Sequence, residues 1–230
     1  MIREDIEKFN KPDENNEKEK TSTTNKGSEY IKKLKEIYIK RGFKNKWLHL
    51  EEIACGISKE DEHNLLKEYP EIPKSLLEIL NKIDGTYHRL YENEKITYYF
   101  FGSDVEDGKY PYYLLSGEQM LKTKNDPVKY YDCYINREFD DIPVSEKITN
   151  DINNIKWLHF ADCMNNGGTS QLFIDFSPSK KGSKGQIIRF VHDEDSLEVI
   201  ADSFDEFLEK IEKNDFKFIN NDEGFWSKLI

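Results

Sequence analysis

From residue 30 onward the chain carries apolar residues at regular intervals, and the first of these intervals are helical. Tyr30, Leu34 and Ile37 follow one helix face, which predicts a helix that begins near Tyr30. Ser58 precedes an acidic first turn, so it is the predicted N-cap of a second helix, which runs to about Tyr69. Both patterns favour helices that bury a single apolar stripe.

Helical spacing of apolar residues recurs in one more segment, and the apolar residues after it follow the pattern of strands. A third helix is predicted between Pro73 and Gly85, and a capping box at Ser203 predicts a last one. Strands are predicted between these helices, at 96–101, 112–115, 157–161, 170–176, 186–192 and 197–200. Residues 128–155 are compatible with a helix that polar turns interrupt. Helices followed by hairpin-connected strands indicate an α+β fold, with helices packed on a mixed, mostly antiparallel sheet.

The N-terminal stretch differs from the rest of the chain. No aliphatic or aromatic residue occurs between Asn10 and Glu29, so this stretch cannot bury enough surface to offset its ordering entropy. We therefore predict a polar, mobile leader over residues 1–29 and a single domain over residues 30–230.

Charge restricts the classes of partner. The chain has 34 Lys and Arg against 45 Asp and Glu, a formal net charge of −11. Nucleic acids and anionic membranes require a cationic face, so neither is expected, whereas a basic protein is. Cys55, Cys133 and Cys163 form no CxxC pair, which excludes a thiolate zinc site and fits a reducing compartment. The N-terminus carries no signal-peptide apolar region, and we expect a cytoplasmic protein that is a monomer or weak dimer without cofactor or metal.

A catalytic site finds little support in the sequence. His159, Asp162 and Cys163 could supply a base, an orienting carboxylate and a thiol nucleophile. On a regular strand, however, His159 and Asp162 would point to opposite faces. The sequence therefore predicts that the protein is not an enzyme.

Aromatic and acidic residues interleave in two stretches, at 104–113 and at 130–141. Tyrosine offers rigid contact area with a polar tip, and carboxylates steer a cationic partner. The predicted partner-binding residues come from the first stretch and from the acidic turn between the last two strands: Asp104, Glu106, Asp107, Tyr110, Tyr112, Tyr113, Asp193, Glu194 and Asp195.

Four motifs follow one another in order along the chain: LLKEYPEIPKSLLEILNKIDG (65–85), WLHFAD (157–162), LFIDFSP with GQII (172–178 and 185–188) and ADSFDEFL (201–208). In this order they resemble the SUKH superfamily, the SMI/KNR-type proteins. The resemblance covers about residues 47–213. The leader, the loop at 140–155 and the tail at 216–230 depart from the family pattern.

The resemblance implies an α+β fold and a protein-binding function without catalytic residues. Bacterial members are chiefly immunity proteins, which bind and block the toxin domain of a polymorphic toxin. Fungal members are scaffolds in cell-wall signalling. We therefore expect an immunity protein that covers a basic, nuclease-like toxin domain. The alternative is a regulatory scaffold in cell-wall or glucan synthesis, whose leader recruits partners.

Overall fold

The computed structural model describes residues 25–163, 170–192 and 195–220. The α-helices of these residues are α1 (Lys26–Lys40), α2 (Lys44–Ile53), α3 (Lys59–Glu68), α4 (Lys74–Leu80), α5 (Gly117–Lys122), α6 (Asp126–Tyr130), α7 (Asp132–Ile135) and α8 (Phe204–Lys213). The β-strands are β1 (Arg89–Tyr91), β2 (Glu94–Ile96), β3 (Phe101–Gly102), β4 (Pro111–Leu114), β5 (Trp157–Asp162), β6 (Gln171–Asp175), β7 (Gln186–Val191) and β8 (Ser196–Ala201). Short 3₁₀ turns occur at Val105–Gly108 and Ile152–Asn154.

Strands β3 to β8 form one six-stranded sheet in chain order, and each neighbouring pair is antiparallel. Strands β1 and β2 form a separate antiparallel hairpin. A parallel bridge joins Val144 to Leu197 on β8. The predicted α+β fold with a mostly antiparallel sheet is confirmed.

One face of the sheet is covered by α1, α4 and α8 and contains the larger core. Phe160 on β5 packs edge-on against two rings of α8, with centroid distances of 5.3 Å to Phe204 and 5.8 Å to Phe207. Ser203 accepts a hydrogen bond from the Glu206 backbone N–H, as the predicted N-cap requires. Burial of these rings is the main source of stability on this side.

The opposite face carries a smaller core, covered by residues 126–156, which we call the covering segment. Trp157, Phe173 and Phe190 point to this face and are buried. Tyr131 and Ile135 of the covering segment pack on them, and the rings of Tyr131 and Phe190 have centroids 4.6 Å apart. The sheet is therefore buried on both faces.

The folded domain begins earlier than the sequence pattern predicts. Helix α1 starts at Lys26 rather than at Tyr30, so residues 26–29 belong to the domain and not to the leader. A Cβ atom at Gly27 would lie 2.1 Å from the backbone oxygen of Ser75, so the glycine allows α1 to approach the start of α4. Residues 1–24 of the predicted leader lie outside the described residues.

One predicted strand also differs from the structure. The strand predicted at 96–101 is divided, since β2 ends at Ile96 and β3 begins at Phe101. Between them, the carbonyl oxygens of Tyr99 and Phe100 accept hydrogen bonds from the hydroxyls of Tyr38 and Tyr30, at 2.7 and 2.6 Å. These α1 side chains bind backbone groups that a longer strand would present to a neighbour.

Candidate partner-binding surface

The predicted acidic turn follows β3 and is exposed, but its first carboxylate is already paired. Asp104 accepts hydrogen bonds from Nε and Nη2 of Arg189 on β7, at 2.6 and 2.9 Å. Glu106 and Asp107 adopt left-handed backbone angles, with φ of 50° and 56°, and their side chains are exposed. Only these two acids of the turn are available to a partner without first breaking an internal ion pair.

The tyrosines after this turn do not form the predicted contact surface. Tyr112 and Tyr113 are only 0% and 5% exposed, because both rings pack in the larger core, where Tyr113 contacts Tyr87 and Tyr99. Their assignment to a partner surface is wrong, and both belong to the core. Tyr110 is half-buried, and its hydroxyl lies 3.3 Å from Sγ of Cys163.

The second predicted acidic cluster lies at the turn between β7 and β8. Asp193 and Glu194 are outside the described residues. Asp195 is half-buried in a left-handed conformation (φ 48°). Burial, and next the charge of Asp195, raises the pKa of Tyr134. Asp195 therefore borders the covering segment, whereas Asp104 is held on the helix-covered side of the sheet by Arg189.

Arg137 fixes the conformation of the covering segment. Its guanidinium donates hydrogen bonds to the carbonyl oxygens of Thr149, Ser145 and Ile148, at 3.1, 3.1 and 3.0 Å, and also to that of Ile135. Burial lowers the pKa of Arg137 from its usual value. One side chain thus joins the end of α7 to the loop that returns to β5.

The covering segment carries exposed apolar side chains that have acidic neighbours along the chain. Val128, Tyr130 and Phe139 have exposed fractions of 45%, 54% and 47%. Phe139 also contacts Tyr134, with ring centroids 6.0 Å apart. We call this set of residues the aromatic–acidic patch; its members are Val128, Tyr130, Tyr134 and Phe139 with Asp126, Asp132, Glu138, Asp140, Asp141 and Asp195. Exposed aromatic residues with a polar surround are typical of protein-binding surfaces.

The sequence pattern at 130–141 signals this patch, but it does not show which rings are exposed. Tyr130 and Tyr131 are neighbours, yet Tyr130 is 54% exposed and Tyr131 only 5%. The difference arises because Tyr131 packs on Phe190 in the smaller core. Tertiary packing, which a single segment cannot reveal, thus separates contact residues from core residues.

His159, Asp162 and Cys163 come together in a buried polar cluster, contrary to the expectation that the first two point apart. The register of β5 against β6 shifts between His159 and Ala161, which places an extra residue in β5. His159 and Asp162 therefore share a face, with Nε2 and Oδ2 3.7 Å apart. His159 Nε2 donates instead to the carbonyl oxygen of Ala161 at 3.1 Å.

Burial determines the protonation of this cluster. It raises the pKa of Asp162 to about 7, although hydrogen bonds from Gln171 and the Cys163 backbone oppose the shift. It lowers the pKa of His159 to about 3, so the imidazole is neutral at physiological pH. Burial also raises the pKa of Cys163, which keeps the sulfur as a thiol. A protonated thiol beside a neutral histidine that does not contact it is a poor nucleophile.

Within residues 25–163, 170–192 and 195–220, no helix has both the length and the apolar character needed to cross a membrane. In the same ranges, no group of three or more His, Cys, Asp or Glu side chains is arranged to hold a metal ion.

Comparison with known proteins identifies a family. Residues 56–210 match the profile of the SMI1 / KNR4 family (SUKH-1). The match runs from the start of α3 into α8, and so includes the whole six-stranded sheet and the covering segment. A comparison with curated proteins found no match.

Proposed function

Because the chain belongs to the SMI1 / KNR4 (SUKH-1) family, we propose that it is an immunity protein that binds a cognate toxin domain and covers its active surface. In this proposal the protein is cytoplasmic and catalyses no reaction. Its mechanism is steric: an occupied toxin surface cannot reach its substrate.

The observation that carries the proposal is the aromatic–acidic patch on the covering segment. Phe139 offers large apolar contact area, and Tyr130 is exposed with Nζ of Lys129 4.5 Å from its ring centroid. Tyr131 and Ile135 of the same segment are fixed in the smaller core. A rigid support limits the entropy that the patch loses when a partner binds. Buried aromatic anchors of this type supply most of the free energy at protein interfaces.

Charge favours a basic partner. Between residues 126 and 141 the acids Asp126, Asp132, Glu138, Asp140 and Asp141 outnumber Lys129 and Arg137, and Arg137 is bound to backbone carbonyls. The formal net charge of −11 adds a long-range attraction for a cationic surface. A nuclease toxin has such a surface, because its substrate is a polyanion.

The proposal is tested by co-expression with the toxin encoded beside this gene, with survival and co-purification as readouts. The patch variant combines Phe139→Ser, Asp140→Lys and Asp141→Lys, three exposed positions whose replacement leaves the core intact. We expect it to lose protection and co-purification. The matched control is Glu106→Lys with Asp107→Lys on the exposed acidic turn, which we expect to retain both.

The outcomes separate the surfaces and the functions. Protection that survives the patch variant but is lost in the control pair would transfer the binding site to the acidic turn. A wild-type protein that gives neither rescue nor co-purification would overturn the immunity function. Deleting residues 1–24 tests the scaffold alternative, because the helix that begins at Lys26 remains complete. An immunity protein keeps its protection after this deletion, whereas a leader-dependent scaffold loses its partners.

A further inference from the structure

A cavity of about 240 Å³ lies between α8, the end of β3 and the edge strand β8. Its apolar wall consists of Phe207 and Ile211 of α8, Ile200 of β8, and Phe218 from the segment after α8. Phe218 approaches the chain closely at Gly102, where a Cβ atom would lie 2.8 Å from its Cδ1. The cavity is smaller than the sites that hold drug-sized ligands, so it suits a compact molecule.

Helix α8 carries its charges on two flanks. Glu209 and Glu212 face α1, where they pair with Lys26 and Lys33 at 3.2 and 2.7 Å. Asp205 accepts a hydrogen bond from Ser75 at the start of α4. The acidic flank is therefore occupied by contacts with neighbouring helices.

The basic flank of α8 faces the cavity. Lys210 and Lys213 follow each other at i, i+3, and Lys217 comes four residues later, after the helix has ended; all three line the cavity. Lys210 is neutralised by Glu206 at 3.1 Å. Among the carboxylates of the described residues, none lies within 4.0 Å of Nζ of Lys213 or Lys217.

The acid that lines the cavity does not compensate these two charges. Asp104 is bound at both oxygens by Arg189, which leaves Lys213 and Lys217 as excess positive charge beside an apolar wall. Such a site is unexpected in a chain with a net charge of −11. An apolar wall with a cationic rim is complementary to a molecule with an apolar body and an anionic head.

We propose that this cavity binds a small organic anion with a flat apolar body, of the aromatic carboxylate class. The apolar body lies against Phe207, Ile211 and Phe218, and the carboxylate pairs with Lys213 and Lys217. The site is separate from the aromatic–acidic patch, and it does not depend on the proposed immunity function.

The probe is 2-naphthoate, with 2-naphthol as a ligand of similar size that lacks the carboxylate. Calorimetric titration of the full chain is expected to show saturable binding of 2-naphthoate and weaker binding of 2-naphthol. Lys213→Glu with Lys217→Glu is expected to reduce the affinity for 2-naphthoate roughly tenfold, the effect of losing two partly solvated ion pairs. The matched control is Lys32→Glu with Lys180→Glu, two exposed lysines outside the cavity, and it is expected to bind like the wild type.

Two measurements keep the test decisive if the charge variant folds poorly. Higher NaCl concentration should weaken binding of 2-naphthoate to the wild type but not of 2-naphthol. Ile200→Phe, which reduces the cavity volume, should weaken both ligands. Failure of 2-naphthoate to bind, equal affinity for the two ligands, or an equal loss in the control pair would overturn the proposal.

Discussion

The guanidinium of Arg189 holds both carboxylate oxygens of Asp104, at 2.6 and 2.9 Å, although 85 residues separate the two in the chain. The side chain of Arg189 is 9% exposed and that of Asp104 is 51% exposed. The pair joins β7 to the turn after β3, strands that are not neighbours in the sheet. The sheet must therefore curl to bring them together.

This pair supports a first prediction, on stability. Asp104→Ala leaves the Arg189 guanidinium without its bidentate partner, and we expect a loss of about 1–2 kcal/mol in the free energy of unfolding. Urea denaturation measures it, and a double-mutant cycle with Arg189→Met should give a coupling energy of similar size. Glu36→Ala, an exposed position on α1, serves as control and should stay within about 0.5 kcal/mol. A coupling energy near zero would contradict the ion pair.

The close contact of α1 with the start of α4 supports a second prediction. Alanine is a better helix former than glycine by ~1 kcal/mol, so Gly27→Ala would stabilise an isolated helix. Here the added Cβ would lie 2.1 Å from the oxygen of Ser75, and α1 would have to move. We expect Gly27→Ala to lower the free energy of unfolding by about 1–3 kcal/mol. Glu29→Ala, exposed on the same turn, should have little effect; equal effects would mean that α1 does not pack on α4 in this way.

Asp162 supports a third prediction, on pH dependence. Its pKa is about 7 in the folded protein, against ~3.9 for an unfolded aspartate, so the folded state binds the proton more tightly. The stability that Asp162 contributes is complete below about pH 4 and is lost as the pH rises through about 7. Asp162→Asn should remove this decline, so its stability relative to the wild type rises with pH. Urea denaturation between pH 4 and pH 8 provides the comparison, and parallel curves would show an ordinary pKa.

His159 supports a fourth prediction, of opposite sign. Its pKa is about 3 in the folded protein, against ~6.5 when unfolded, so its stabilising contribution is present above pH 6.5 and is lost as the pH falls through about 3. His159→Leu should remove this acid sensitivity. Between pH 4 and pH 6.5 the effects of His159 and Asp162 oppose each other, so the two single variants should diverge in opposite directions from the wild type. The ring ¹⁵N chemical shifts of His159 should stay in the range of a neutral imidazole between pH 5 and pH 8.

Local signals in the sequence predicted the elements that local interactions stabilise. Ser58 and Ser203 each cap a helix through a side-chain hydrogen bond, as predicted. Apolar runs bounded by turn residues likewise predicted β5 to β8, and their short connections predicted the antiparallel sheet. The family resemblance, carried by four motifs, was confirmed by the match over residues 56–210.

The predictions that failed concern residues whose placement depends on contacts with distant parts of the chain. The register shift in β5 reverses the expected separation of His159 and Asp162, and no residue type in the segment indicates it. Tyr112 and Tyr113 have the composition of a contact surface, but two neighbouring strands and the packed helices bury them. Helix α2 was not predicted, because Trp47 and Leu50 are its only fully buried apolar positions and make a short stripe.

The clamp formed by Arg137 has a consequence for how this protein can change over time. The guanidinium donates hydrogen bonds to the backbone carbonyl oxygens of Ser145, Ile148 and Thr149, and every amino acid carries such a carbonyl. The outward-facing side chains of the same segment take no part in these hydrogen bonds. Substitution of these outward-facing side chains can therefore change the binding preference without changing the backbone conformation of the segment.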